Sequence, residues 1–334
     1  MLIIYPSFSY TLIVINLRLA AIDIGTNTFR LLVAEVHPDS AKKNYSIKVI
    51  SSKRVITRLG DGIIHNGSIH EEAVTRSIKT LKQFSRIISR HKVDKISAVA
   101  TSALREATNR RDFMNKARDA AGLHIKLISG RQEAELTAAG MLIDMTPPKS
   151  ALMLDIGGGS TELIFMKSGK PVAVRSLNLG VVYLAGKYMI NDPPLTGDII
   201  QMETEISGKI HSAITSLKRH LPGETLCIGT AGTVTALAAI SQNLRKFSHD
   251  KIHKYILTLE NIRNILTTLS GLSSKERAEF VPFELARLDI IVPGTLILFK
   301  LMETFGFREI IVSNYGLLEG TLIDLYKKGA ETEN

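Results

Sequence analysis

The spacing of apolar positions changes several times along the chain and divides it into predicted strands and helices. Apolar and alternating runs predict strands at 17–24, 30–37 and 45–58. From Glu71 to His91, apolar residues recur every three or four positions, which predicts a helix with one buried face. These residues are Val74, Ile78, Leu81, Phe84 and Ile88.

The rest of the first half continues this alternation. "KISAVATSA" and "HIKLIS" predict strands, and "RDFMNKARDAAG" predicts a helix that ends at Gly122. A helix follows from about Arg131 to about Leu142, and the Pro-Pro of "DMTPPKS" then indicates a linker.

The second half repeats the plan. Strands are predicted at 150–156, 161–167 and 171–177, and a long helix from Thr196 to about His220. "ETLCIGT" predicts a strand, whereas "AGTVTALAAIS" and "LTLENIRNILTTLSGL" predict helices. "FREIIVSNYGLLEGTLIDLY" closes the chain as strand, loop and helix. The alternation predicts an α/β fold with one sheet in each half.

Two stretches align without a gap: "AAIDIGTNTFRLLVAEV" (20–36) and "ALMLDIGGGSTELIFM" (151–166). Asp23 aligns with Asp155 at a spacing of 132 residues, which the other matched positions share. The matches include Gly25 with Gly157, Thr28 with Ser160 and Leu31 with Leu163. The chain is therefore interpreted as a duplicated domain.

The glycine-rich loops of both copies predict phosphate binding, because backbone N–H groups approach an anion closely where no Cβ intervenes. Asp23 and Asp155 stand at the strand ends, as candidates to hold Mg²⁺ or to orient water. A single glycine loop is more often a structural turn, but two matched copies and the "GTAGT" segment favour the functional interpretation. The candidate phosphate-binding residues are Gly25, Thr26, Asn27, Gly157, Gly158, Gly159, Ser160, Thr161, Gly229 and Gly232.

A formal net charge of +10 over 334 residues indicates an anionic partner: nucleic acid, a membrane surface or a phosphorylated substrate. Nucleic acid is the poorer candidate, since the chain has no Trp, only 6% aromatic residues, no recognition helix and no zinc pattern. One set of cations is expected to face solvent on a helix: Arg76, Lys79, Lys82, Arg86 and Arg90. A second set is a candidate path for a polyanion: Lys42, Lys43, Lys48, Lys53, Arg54 and Arg58.

The single cysteine, Cys227, excludes an internal disulfide, and its apolar neighbours predict a buried thiol. A reducing, cytoplasmic location fits. Residues 1–16 are apolar but lack the basic region and cleavage site of a secretory signal, and they are too short to span a bilayer. They are expected to be an appendage: an over-long start or a disordered or docked tail, with no membrane association.

Several motifs together resemble those of the exopolyphosphatase/guanosine pentaphosphate phosphohydrolase (Ppx/GppA) family of the actin-like superfamily. The resemblance spans residues 18–325. It implies two ribonuclease-H-like domains with an interdomain cleft, one formed by 17–142 plus 315–330 and the other by 148–314. The motifs are the two aspartate loops, "SALREATNRRDF", "ISGRQEAEL", "IGTAGTVTALAAI", "RLDIIVPGTLIL" and "VSNYGLLEGTL".

The resemblance also implies site residues. Glu133 falls on the family's catalytic base and Arg105 on its phosphate-binding arginine, while Asp23, Asp155 and Glu162 fall on its metal-associated acids. These residue types suit phosphoanhydride hydrolysis, which needs a base for water, donors for phosphate oxygens and a cation. Without the resemblance, Glu133 would be interpreted as a carboxylate favoured by a helix dipole. Mg²⁺, and a monovalent cation such as K⁺, are the implied cofactors, and a homodimer is the implied assembly.

Two departures from the family pattern bear on activity. Gln132 replaces an acid beside Glu133, so Glu133 is expected to be less readily protonated, with activity retained. Asn314 and Leu318 replace a common Asp and Arg, and a phosphate or interdomain contact there is expected to be weakened. The chain also ends near 334 without the long helical extension of larger members, which leaves the preferred polyphosphate length open.

The predicted function is exopolyphosphatase: hydrolysis of the terminal phosphoanhydride of inorganic polyphosphate with release of orthophosphate. Three alternatives stay open. One is 5′-phosphate removal from guanosine pentaphosphate, one is an ATP-dependent small-molecule kinase, and one is a sensor that binds the alarmone without hydrolysing it.

Overall fold

The computed structural model describes residues 17–39, 44–217, 221 and 223–331. Its first sheet contains β1 (Leu17–Ile24), β2 (Thr28–Asp39), β3 (Asn44–Ile56), β4 (Lys95–Ala100) and β5 (Ile125–Leu127). The strand order is β3-β2-β1-β4-β5. The first three strands form antiparallel hairpins, whereas β4 and β5 continue the sheet in parallel with β1.

The second sheet repeats this topology. Its strands are β6 (Ser150–Ile156), β7 (Thr161–Lys167), β8 (Lys170–Leu177), β9 (Leu226–Thr230), β10 (Ile256–Thr258) and β11 (Glu309–Val312). The order β8-β7-β6-β9-β11 matches that of the first sheet, and β10 adds an antiparallel edge strand. The predicted α/β fold with two ribonuclease-H-like sheets is confirmed.

Helices cover both sheets. They are α1 (Ile63–Asn66), α2 (Glu71–Arg90), α3 (Ser102–Glu106), α4 (Arg110–Ala121), α5 (Gly130–Met141), α6 (Val181–Tyr188), α7 (Thr196–Leu217), α8 (Ala231–Ser241), α9 (His249–Ile252), α10 (Leu259–Ser270), α11 (Ser274–Phe280), α12 (Ile291–Phe305) and α13 (Leu317–Glu331). Gly122 ends α4 with φ 66°, as predicted. The sequence patterns did not predict α12. This buried helix has apolar residues on all of its faces, so its sequence shows little helical periodicity. Positions 218–220, at the end of the predicted long helix, lie outside the described residues.

The two halves exchange helices across the molecule. Helix α5 belongs to the first half in sequence, but its apolar face packs on the second sheet, against Met153 and Ile164. Helix α13 packs back onto the first sheet, where Leu322 and Tyr326 meet Leu19. This exchange holds the two halves together, because each sheet packs against a helix that comes from the other half of the sequence.

Glycines allow α5 and α13 to cross at close range. A Cβ on Gly320 would lie 1.8 Å from the carbonyl oxygen of Leu136, and one on Gly140 would lie 1.9 Å from that of Gly316. Both obstacles are backbone atoms, so no rotamer change could relieve the overlap. Small residues at this crossing therefore fix how closely the halves approach.

His253 ties the two interdomain connections together. Its Nε2 lies 2.9 Å from Oδ2 of Asp144, in the first connection. Its Nδ1 accepts a 3.2 Å hydrogen bond from the backbone N–H of Asn314, in the second. The Asn314 side chain donates to the carbonyl oxygen of His249 at 2.8 Å. Asn314 therefore contributes to this connection without reaching the glycine loops.

The structure also shows where Leu318 and Cys227, both considered in the sequence, are located. Leu318 is buried in the apolar contact between α13 and the first sheet, and Cys227 is buried with a raised thiol pKa because of that burial. No helix within the described ranges is long and apolar enough to cross a membrane. Residues 1–16, the predicted appendage, lie outside the described part of the chain.

Candidate active site

Both glycine loops border one cleft between the two sheets, so the structure brings the duplicated motifs together. The cleft lining includes Asp23, Gly25, Thr26, Asn27, Thr28, Arg30, Ser102, Glu133, Asp155, Gly157, Gly158, Gly159, Ser160, Gly232 and Arg287. Each loop closes with the same bond: Gly25 N–H donates to Thr28 O at 3.2 Å, and Gly157 N–H donates to Ser160 O at 2.9 Å. The repeat in the sequence thus corresponds to a repeated loop conformation.

The loops also touch each other across the cleft. A Cβ on Gly158 would lie 3.2 Å from Cβ of Thr26, and one on Gly159 would lie 2.2 Å from Oγ of Ser102. The hydroxyls of Thr26 and Ser102 are 2.8 Å apart and share a hydrogen bond. A side chain at 158 would be tight, and one at 159 would displace the Ser102 and Thr26 hydroxyls, because the loop of the second half lies directly against the first half.

Cross-strand pairing sets a row of side chains beside each loop. In the first sheet, Asp23 pairs with Arg30 and Arg30 pairs with Arg54. In the second, Asp155 pairs with Glu162 and Glu162 pairs with Ser176. The two rows occupy corresponding places in the two hairpins, but they carry different charges.

The catalytic-base candidate, Glu133, lies in the first turn of α5. Ser129 and Gln132 form a reciprocal capping box there, so the Gln132 side chain turns back to the start of the helix. Glu133 Oε2 accepts a 2.8 Å hydrogen bond from Arg105, which also donates to the carbonyl oxygen of Ile128. The helix start and this ion pair together hold the carboxylate in the cleft wall.

Burial raises the pKa of Glu133 to about 7, and the charges of Asp155 and Asp23 add to the rise, while Arg105 opposes it. A carboxyl with this pKa exchanges protons near neutral pH. The predicted effect of Gln132 rested on charge alone. The structure shows that the Gln132 side chain caps the helix, while burial is the largest influence on Glu133.

Two further buried acids lie on the same side of the cleft. Burial raises the pKa of Asp155, and its carboxylate accepts a 3.3 Å hydrogen bond from Thr137. Burial also raises the pKa of Glu162 well above its usual value, with Glu133 and Asp155 adding to the rise. Glu133 and Asp155 line the cleft and form what we call its acidic side, with Glu162 buried behind them.

Three arginines cluster around the first hairpin, and the charge of Arg30 also reaches Asp155, where it opposes the effect of burial on the pKa of that carboxyl. Arg30 donates through Nε to Asp23 at 2.8 Å. Burial lowers the pKa of Arg54 to about 9, with the charges of Arg287 and Arg30 adding to it. Burial likewise lowers the pKa of Arg287 to about 10, helped by Arg30. Arg30 and Arg287 line the cleft and form what we call its basic side, with Arg54 behind them, and an anion would relieve the mutual repulsion of the three arginines.

The N-terminus of α8 adds to this basic side. Ala231 begins the helix with φ 73°, in the left-handed region that a non-glycine residue rarely occupies. A Cβ on Gly232 would lie 1.9 Å from a terminal nitrogen of Arg287. The glycine thus makes room for the guanidinium where the helix dipole also favours a negative ligand.

Among the described residues, no group of three or more His, Cys, Asp or Glu side chains is arranged to hold a metal ion. Asp23 and Asp155 nevertheless line the cleft, and Mg²⁺ is commonly held by one or two carboxylates with water and substrate phosphate. These two acids fit such a site. Glu162 fits less well, because it lies outside the cleft lining and accepts a 2.7 Å hydrogen bond from Ser176.

Two predicted phosphate-binding residues lie away from the cleft surface. The Thr161 hydroxyl is buried and donates to the carbonyl oxygen of Leu179 at 2.5 Å. Gly229 lies within β9, where a Cβ would meet Ile310 and Val234. Neither the Thr161 hydroxyl nor Gly229 is placed to contact a ligand in the cleft.

The two predicted sets of cations have different surroundings in the structure. All five cations of the set on α2 are exposed, as expected for a solvated face. Of the second set, Lys48 pairs with Glu35 at 3.0 Å, whereas Arg54 and Arg58 reach acids of the second half, Glu284 and Asp289. Positions 42 and 43 lie outside the described residues.

Sequence reasoning missed Arg30, Arg287 and Ser102. The 132-residue spacing could have identified Arg30, since it maps onto Glu162, which had been selected. Ser102 and Arg287 begin two of the quoted family motifs, "SALREATNRRDF" and "RLDIIVPGTLIL", but their place beside the loops depends on how distant segments fold.

Two facing sheets of the same topology, joined at a glycine-lined cleft with buried acids and arginines, define a two-domain α/β enzyme built to handle phosphate. The sequence model of the Ppx/GppA phosphatase family matches residues 39–329. The chain belongs to this family, as its motifs predicted, and it is a hydrolase of phosphoric anhydrides.

Relatives cover nearly all of the chain. It is 28% identical over 318 residues to exopolyphosphatase 2 of Mycobacterium tuberculosis, covering 92% of this chain and 98% of the relative. It is 30% identical over 315 residues to a bifunctional 3-dehydroquinate synthase/phosphatase of Fusobacterium nucleatum. That match covers 92% of this chain but only 46% of the bifunctional protein.

A solved structure agrees with the fold. The crystal structure of the Aquifex aeolicus member of the Ppx/GppA family is 29% identical and superposes with a TM-score of 0.77. The match covers 94% of this chain and 98% of that one. The pair of sheets is therefore an arrangement that this family is known to adopt.

Proposed function

We propose that this protein is an exopolyphosphatase, which hydrolyses the terminal phosphoanhydride of inorganic polyphosphate and releases orthophosphate. The observation that carries the proposal is the polarity of the cleft. Water would be activated on the acidic side, while the remaining phosphates of the substrate would occupy the basic side. A linear polyanion with a chain end matches this division.

In the proposed reaction, Glu133 orients the attacking water and accepts its proton, and Arg105 keeps the carboxylate in place. Backbone N–H groups of 26–27 and 158–160 donate to the oxygens of the terminal phosphate. Arg30 and Arg287 hold the phosphates that leave with the shortened chain.

Asp23 and Asp155 would hold Mg²⁺, which supplies positive charge to the phosphate oxygens when it is bound. Asp155 is also kept beside the middle of α5 by the hydroxyl of Thr137. A homodimer, a cytoplasmic location and a monovalent-ion requirement belong to the proposal as expectations from the family.

The test is orthophosphate release by the purified protein with Mg²⁺ from long polyphosphate, guanosine pentaphosphate and ATP. We expect polyphosphate to be consumed and Glu133→Gln to lose about a hundredfold or more in rate, within the range for a positioned general base. Glu135→Gln is the matched control, because Glu135 lies on the same helix but pairs with Arg131.

Other outcomes select other functions. Release from guanosine pentaphosphate alone would establish the nucleotide hydrolase. ADP formation that depends on a small-molecule acceptor would establish a kinase. Tight binding of guanosine pentaphosphate without turnover, unchanged by Glu133→Gln, would establish a sensor.

A further inference from the structure

A buried carboxylate outside the proposed reaction links the two halves beside the cleft. Glu284 stands between α11 and the turn Leu285–Arg287, and its side chain is only 7% exposed. Its Oε1 contacts the Nε of Arg287, in its own half, and the guanidinium of Arg54, on β3 of the first half. One oxygen atom thus joins two arginines that belong to opposite halves.

The position of Arg287 explains why this link matters. Its Nε faces Glu284, whereas a terminal nitrogen lies over Gly232 in the cleft. Arg287 lines the cleft, but neither Glu284 nor Arg54 does. Glu284 therefore contacts the back of an arginine whose other end faces the ligand space.

The charges of these side chains favour an arrangement in which Glu284 lies between Arg54 and Arg287. Arg54 and Arg287 repel each other, and burial lowers the pKa of each, with this repulsion adding to the fall at Arg54, although the Arg54 side chain is 38% exposed and that of Arg287 only 12%. Glu284 is the carboxylate that both contact. Since Arg54 reaches Glu284 only when the halves are together, the orientation of Arg287 depends on a closed cleft.

We propose that Glu284 and Arg54 are positioning residues, which form an interdomain bridge that orients Arg287 toward the phosphate chain of the substrate. Neither residue touches the substrate. The proposal deepens the function proposed above, since it assigns Arg287 a phosphate ligand. It makes tight binding of a polyphosphate conditional on closure of the two halves.

The experiment measures binding of tripolyphosphate by calorimetry in EDTA, so that it does not depend on turnover. We expect Glu284→Gln and Arg54→Gln each to weaken binding about tenfold or more, the range for loss of an oriented hydrogen bond to a charged group. Because both changes break one bridge, the double variant should bind no more weakly than either single variant. Arg54→Lys retains a cation for Glu284 and should restore most of the affinity.

Arg58→Gln is the matched control, because Arg58, although it belongs to the set considered as a polyanion path, does not line the cleft and is paired with Asp289. Arg58 also bridges the halves, through a 3.0 Å ion pair to Asp289, but both side chains are about half exposed and neither is bonded to Arg287. We expect this variant to bind within about twofold of wild type, as is usual for an exposed ion pair. Steady-state assays on polyphosphate should show a higher KM for Glu284→Gln with a nearly unchanged kcat, because Glu133 and Arg105 are untouched.

Four results would overturn the proposal. Tighter binding by Glu284→Gln would make the carboxylate a competitor of phosphate. Additive losses in the double variant would mean two independent roles, and equal binding by all variants would mean no role. If wild type bound no tripolyphosphate, the proposal would also fail, whereas the exopolyphosphatase assignment would still be decided by orthophosphate release from long chains.

Discussion

Removing the Arg105 charge should move the pH dependence of catalysis upward. The pKa of Glu133 is about 7, and the ion pair with Arg105 lowers it against the effect of burial. Arg105→Gln removes a 2.8 Å charge-assisted hydrogen bond. The two side chains are 23% and 10% exposed, so water screens the pair only weakly.

The size of the shift follows from the strength of that bond. A hydrogen bond to a charged group contributes about 1.5–3 kcal/mol. At 1.36 kcal/mol per pKa unit, its loss should raise the pKa of Glu133 by about one to two units, to about 8–9. The base is active when deprotonated, so a higher pKa removes activity at low pH first.

The assay is kcat/KM for orthophosphate release measured between about pH 5.5 and 10. Wild type should rise with pH and level off above about pH 7, whereas Arg105→Gln should level off about one to two units later. Arg105→Lys keeps the positive charge and should stay close to wild type. A uniform loss for Arg105→Gln, with the rise still near pH 7, would refute the assignment of this titration to Glu133.

Two further predictions concern glycine. Gly320→Ala should destabilise the protein by about 1–3 kcal/mol through overpacking, because its Cβ would lie 1.8 Å from a backbone oxygen. Gly208→Ala, in α7 with no neighbour within 4 Å, should instead stabilise it by about 0.5–1 kcal/mol. Thermal unfolding checks both, and shifts in the same direction would contradict the close crossing of α5 and α13. Gly159→Ala should lower kcat/KM about tenfold or more with little change in melting temperature, and Ser102→Ala should relieve part of that loss, because it removes the oxygen 2.2 Å from the new Cβ. No relief in the double variant would mean that the loops do not meet in the active state.

Local patterns predicted the parts of the fold that local physics decides. The hairpins at Asp23 and Asp155 have the same turn and register, so aligning their sequences was enough to predict a repeated structure. The helix 71–91 was predicted because one of its faces is buried and the other is solvated. The short α3 and α9 lack a full period of apolar residues, and their positions come from tertiary contacts.

The active site was predicted only in part, for the same reason. Each glycine loop can be recognised in the sequence. The close contact between Gly159 and Ser102 cannot, because it depends on how the two halves face each other. Glu284 and Arg287 stand more than 100 residues after the second loop, and no spacing rule connects them to Arg54. These three residues come into contact only when the two halves of the protein have packed together.

The place where the duplicated hairpins differ most in charge explains the polarity of the cleft. At the same position, the first copy carries Arg30 and the second carries Glu162. Arg30 neutralises Asp23, whereas Glu162 adds to the negative charge around Asp155 and Glu133. Two identical hairpins would give a symmetric cleft, in which a linear polyanion could lie in either direction. The exchange of one charge sign therefore leaves Asp155 and Glu133 beside a further acid but Asp23 beside an arginine, and in the proposed reaction this difference sets the direction of the chain end.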